Sequence, residues 1–152
     1  MSHLARLQEL GYELPNVAAP LASYVPATKV GNQVWTSGQL PLIDGQLAGV
    51  GKVGAEVSVE DAQDYARTCI LNALAAVDSV VGLDNVTRVL KIVGFVASDV
   101  NFHEQPAVIN GASDFVGELF GEAGEHARSA VGVAVLPKNA PVEIELIVET
   151  AQ

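Results

Sequence analysis

Few side chains in this sequence have a type and spacing suited to chemistry, and the one that stands out is Arg128. In HARSAVGVAVLP, residues 126–137, a guanidinium sits at the entrance of a run from Ser129 to Leu136 that is almost purely apolar and rich in valine. That is the composition of a strand buried on both faces. A charge at such a place must be paired with an acid or must face a cavity or an interface. Two readings follow: a structural ion pair with Glu143 or Glu145, or a bidentate clamp for a small carboxylate. The alternation in VEIELIVE puts Glu143, Glu145 and Glu149 on one side of a strand. Glu143 gains chemical interest only if Arg128 is adjacent to it on the paired strand.

Other candidates carry less. Ser37 in TSGQ lies outside any G-x-S-x-G elbow. The pair Ser37-Gly38 reads either as a strand end or bulge, or as a place where glycine exposes an N–H to a ligand. His3, His103 and His126 show no H-x-x-x-H spacing and no cysteine pair accompanies them, so no metal site and no cofactor is expected. Cys69 is the single cysteine and falls on the inner stripe of a helical pattern, the position of a core filler rather than of a nucleophile. The glycines of DGQLAGVGKVGAE are irregular and no Lys-Ser or Lys-Thr follows, so the segment reads as a loop and not as a phosphate cradle.

These residues must be positioned by a chain of 152 residues, the usual size of one domain, with 49% hydrophobic content to build a core. A single domain over residues 1–152 is expected. With 18 acidic against 8 basic residues the formal net charge is -10 and the bases never cluster, which argues against a surface that tracks nucleic-acid phosphates. The single cysteine and the charged amino terminus, free of any apolar run of signal-peptide or membrane-spanning length, lead to the expectation of a soluble cytoplasmic protein.

The elements alternate. Residues 2–10 form a short helix capped by Ser2 and ended by Gly11 and Pro15, an amino-terminal extension over residues 1–15 that packs on the main body. TKVGNQVWTSGQLPL reads as a hairpin turning at Gly31-Asn32. The longest periodic stretch, after Ser58 and up to Gly82, is a helix whose inner stripe of small residues lets it lie close to a sheet. VTRVLKIVGFVAS is a strand, a second helix opens at Pro106 and closes near Gly121, and ARSAVGVAVLP and VEIELIVETA are strands joined by the turn KNAP. Apart from the extension this is a β-β-α-β-α-β-β plan in the α+β class, one mixed sheet covered by two helices on one face. Strands such as VTRVLKIVGFVAS and ARSAVGVAVLP are apolar at nearly every position, so the other face is expected to be buried by self-association.

Taken together, YVPATKVGNQVWTSGQLP, VINGASDFVGELFG and HARSAVGVAVLPKNAPVEIE resemble the RidA/YjgF family, the reactive-intermediate deaminases once labelled L-PSP endoribonucleases. The resemblance spans nearly all of residues 20–150 and points to a branch with an extra amino-terminal helix. It implies a chorismate-mutase-like fold and a homotrimer whose sheets form a central barrel, with ligand sites in the clefts between subunits. It implies that Arg128 holds a substrate carboxylate, that Glu143 helps position the attacking water, and that Tyr24, Ser37, Gly38 and Asn110 line the pocket. The implied reaction hydrolyses an enamine or imine of the 2-aminoacrylate type to a 2-keto acid and ammonia. Where the deaminases commonly carry a cysteine two residues after the arginine, this chain has Ala130, so only main-chain groups serve the ligand there. A non-catalytic binder of small 2-keto acids is the alternative, and an endoribonuclease ranks last because the chain is acidic. No membrane partner is expected.

Overall fold

The computed structural model describes residues 2–17 and 23–151. The long helix α2 (Val59–Val81) forms where the sequence sets its boundaries: Ser58 accepts the Asp61 N–H at the first turn, and Gly82, at φ 80°, stops it. Its inner stripe, Ala62, Ala66, Cys69, Ile70, Ala73, Leu74 and Val77, is fully buried. Helix α3 (Gln105–Phe120) opens with Pro106 in its first turn, where a missing N–H costs nothing. The short amino-terminal helix α1 (His3–Glu9) is capped by Ser2 and pinned to the body by His3 Nε2 on Val86 O and by Arg6 Nε on Glu118 O.

Strands β1 (Ala27–Val30), β2 (Gln33–Thr36), β5 (Val86–Ala97), β6 (Ala127–Val133) and β7 (Val142–Thr150) form one sheet in the order β1-β2-β7-β5-β6. The remaining two, β3 (Leu42–Ile43) and β4 (Gln46–Leu47), make a small separate hairpin at the start of the segment read from sequence as a loop. The pair β5–β6 is parallel and all others are antiparallel, so the sheet is mixed, with α2 and α3 packed on one face. The α+β plan of one mixed sheet with two helices on one face holds.

Strands β6 and β7 are consecutive in sequence, yet β5 lies between them. The crossover through α3 delivers β6 parallel to β5 on its outer edge. The turn at Pro137–Asn139, with Lys138 and Asn139 at positive φ, then carries the chain to the opposite edge of β5.

The two helices cross closely because Gly111 of α3 lies against the α2 backbone, where a Cβ would overlap Gln63 O. A backbone oxygen cannot rotate away. Gly111→Ala is therefore expected to push α3 off α2 and cost about 1–3 kcal/mol, read as a lower thermal midpoint by roughly 2–4 °C for each kcal/mol.

The sheet face away from the helices carries Trp35 at 47% exposure and Val131 at 44%, with Val93, Phe95 and Ile147 half-buried between them. Register places these side by side: Trp35 pairs with Ile147, and Val131 with Phe95. The valine-rich β6, whose composition suits burial on both faces, is thus an edge strand with exposed positions in the single chain.

Candidate functional site: a guanidinium without an acid

The first group of candidates is built by β6 and α3. The alternation of extended chain points His126 and Arg128 to the same side. Because Arg128 pairs with the buried Ile92, that side is the helix-covered face. Opposite them, Asn110 and Ser113 are three residues apart on α3 and so share one helix face. Arg128 Nη1 donates to Asn110 Oδ1 at 2.8 Å and to Ser113 Oγ at 3.2 Å. Ser113 Oγ in turn lies 2.9 Å from His126 Nε2, and His126 Nδ1 lies 2.6 Å from Gly124 O. Ala130 follows on the same face of β6, partly buried against the core and in register with Gly94.

Arg128 has no acidic partner among the described residues, whose ion pairs are Arg6–Glu9 and Arg67–Asp64. The structural pair with Glu143 or Glu145 does not form, for two reasons: β5 separates β6 from β7, and both glutamates lie on the opposite sheet face, paired with Phe95 and Val93. Of the five guanidinium N–H groups, the two on Nη1 are taken by neutral acceptors. The edge made by Nε and Nη2, the fork that matches a carboxylate, has no partner among the described residues.

The second group sits on the open face. Past β2 the chain docks on β7 through Gln39 and Ile144, which exchange backbone hydrogen bonds of 2.8 and 3.0 Å. This lays Gly38 under Glu143, so closely that a Cβ at position 38 would overlap Glu143 Oε2. Burial, and secondarily the charge of Glu145, pushes the Glu143 carboxyl above its ordinary value. Ser37 donates through its N–H to Pro26 O at 2.8 Å and through Oγ to Val25 O at 2.5 Å, and Tyr24, 44% exposed, precedes this anchored pair in the chain.

The seven candidates therefore fall into two clusters: Arg128, Asn110 and Ala130 in one, Glu143, Gly38, Ser37 and Tyr24 in the other. Within one chain they do not converge. Glu143 is in register with Phe95 and Val131. Arg128 stands three residues earlier on β6, so the two Cα atoms are roughly 14 Å apart by strand spacing and rise, on opposite faces.

Ser113 and His126 belong to the first cluster, although neither metal-ligand spacing nor a nucleophile elbow marks them in the sequence. The signal that finds them is geometric: N-x-x-S at helical spacing beside H-x-R at strand spacing. Cys69 is where its pattern puts it, fully buried, with its thiol pushed up by burial and Sγ 3.7 Å from Val142 O. Among the described residues no group of three or more His, Cys, Asp or Glu side chains could hold a metal ion, and no helix is long and apolar enough to cross a membrane.

The family model described as "YjgF/chorismate_mutase-like, putative endoribonuclease" matches residues 4–150. The chain belongs to the YjgF family. Among YjgF-family relatives it is 46% identical over 147 residues to protein TCP17 of Trypanosoma cruzi, covering 95% of this chain and 92% of that one. It is 34% identical over 134 residues to a 2-iminobutanoate/2-iminopropanoate deaminase of Dermatophagoides farinae, covering 88% and 91%. A solved structure of a protein of unknown function from Agrobacterium tumefaciens superposes with a TM-score of 0.90 at 46% identity, covering 99% of this chain and 93% of that one. TdcF of E. coli, solved with bound serine, superposes with a TM-score of 0.64 at 30% identity, covering 90% and 93%.

Proposed function

We propose that this YjgF-family protein hydrolyses small 2-imino acids to 2-keto acids and ammonia, in sites completed by a second copy of the chain. The observation that carries the reading is the Arg128 fork, held at Nη1 by Asn110 and Ser113 and left without an acid on its Nε–Nη2 edge. A cation so placed, half-buried at an edge strand, suits a planar carboxylate. The deaminase relative and the serine held by TdcF are ligand chemistries of that kind.

The chemistry needs no cofactor, since an imine carbon is already electrophilic. Arg128 fixes the carboxylate, and main-chain groups at Ala130 face the ligand where a thiol is absent. The substrate reacts as its protonated iminium: Glu143 of the neighbouring copy takes one proton from water as the water oxygen bonds to the iminium carbon, leaving a neutral amine and a hydroxyl on that carbon. Glu143 then passes this proton to the amine and takes the hydroxyl proton as the C–N bond breaks, so that ammonia and the 2-keto acid leave and the last proton passes to ammonia. A carboxyl raised by burial is well matched to holding a proton between these two steps.

A homotrimer, its three sheets packed through the open faces, gives the uncovered Trp35, Val131 and Phe95 a partner. Light scattering is expected to give three times the chain mass; a monomer would leave Arg128 and Glu143 apart and overturn the mechanism. The activity is tested by generating a panel of 2-imino acids with an amino-acid oxidase while semicarbazide competes for them. Faster imine removal by the wild type than by Arg128→Ala supports hydrolysis. Equal rates, with 2-keto acids still bound, would make the protein a carboxylate binder instead.

A further inference from the structure

Ser113 and His126 are linked to Arg128 through a chain of hydrogen bonds. Gly124 O can only accept, so at 2.6 Å His126 Nδ1 carries the hydrogen, and in the neutral ring Nε2 is left as an acceptor. Among the described residues the hydrogen that reaches it is that of Ser113, whose Oγ lies 2.9 Å away. The serine proton is thereby committed to the histidine, and the Oγ lone pairs turn to Arg128 Nη1 at 3.2 Å. Without His126 the hydroxyl is free to rotate and to bond back to its own helix.

We infer that Ser113 and His126 are a positioning pair for the Arg128 guanidinium: together with Asn110 they fix its plane, so that the Nε–Nη2 fork is aimed before ligand arrives. The inference rests on the carboxylate-clamp reading above and goes beyond it. A guanidinium held at Nη1 by Asn110 alone can pivot about that single contact. Two contacts on one nitrogen, from residues one helical turn apart, define the plane. Pre-aiming removes the cost of ordering a long side chain when ligand binds. The relay runs in one direction, Gly124 O to His126 to Ser113 to Arg128, and none of its members is an acid, so the arginine is oriented without being neutralised.

The test measures calorimetric affinity for 2-oxobutanoate in wild type, Arg128→Ala, Ser113→Ala, His126→Ala, the Ser113→Ala/His126→Ala double variant and His126→Gln, with thermal melts of each. Ser113→Ala and His126→Ala are each expected to weaken binding about fivefold, the worth of one net hydrogen bond. The double variant should be no worse than either single one, because both act through the same contact. His126→Gln, which restores an acceptor near the Nε2 position, should recover most of the affinity whatever its melting temperature. In the imine assay the loss should fall on KM with kcat little changed, as expected for a grip common to ground and transition states. Wild-type affinity in the single variants, additive losses, or no recovery with glutamine would each overturn the pair. If wild type and Arg128→Ala bind alike, the clamp itself fails and the pair falls with it, a result distinct from an intact clamp indifferent to Ser113.

Discussion

Arg128→Ala is expected to weaken binding of small 2-keto acids by about a hundredfold or more, within the range measured when one partner of a hydrogen-bonded charge pair is truncated. The fold should survive. Arg128 is only half-buried, lies on an edge strand and has no acid that would be stranded by its removal, so the melting temperature should move little. Arg128→Lys separates charge from geometry. It keeps a cation but loses the fork, and it should recover only part of the affinity. Calorimetric titration with 2-oxobutanoate reads both. Unchanged binding in Arg128→Ala would return the residue to a purely structural role on α3.

The second large effect is on turnover. Glu143→Gln keeps the shape of the side chain but cannot take a proton from water, so kcat should drop about 100- to 10,000-fold, the usual worth of a general base, while ligand binding persists. The same residue sets the acid limb of the pH profile. Its carboxyl is raised by burial and by Glu145, so activity should be present above that raised value and disappear as pH falls through it.

Stability runs the other way. The folded chain holds the Glu143 proton more tightly than the unfolded chain does. Folding is therefore weakened as pH rises from the ordinary glutamate value through the raised one, and below that window Glu143 makes no difference. Glu143→Gln should accordingly melt higher than wild type at neutral pH and the same at strongly acid pH. A companion change, Gly38→Ala, would displace the carboxylate that lies over position 38 and lower kcat without removing the acid. A wild-type kcat in Glu143→Gln would dismiss it as the base.

Much of this was legible in local pattern. Helix ends follow from Ser2, Ser58, Pro106 and Gly82, whose effects act within one turn of chain. The inner stripe of α2 and the alternation of β7 follow from the 3.6 and 2 periodicities, which need no knowledge of what lies opposite. That Arg128 is an unusual charge could also be read, because an apolar strand cannot ignore a guanidinium. The short β3–β4 pairing was not, since two-residue strands carry no period.

The sequence by itself determined the longer elements, the two-helix mixed-sheet class and the singular place of Arg128, because propensity, capping and periodicity are properties of neighbours along the chain. Only the tertiary structure decided that β5 stands between β6 and β7, that Arg128 faces α3 while Glu143 faces away from it, and that the guanidinium is held by Asn110 and Ser113 rather than by an acid. Strand order and sheet face are set by which crossover buries the most apolar surface. That is a sum over the whole chain, and no short segment of it carries the answer.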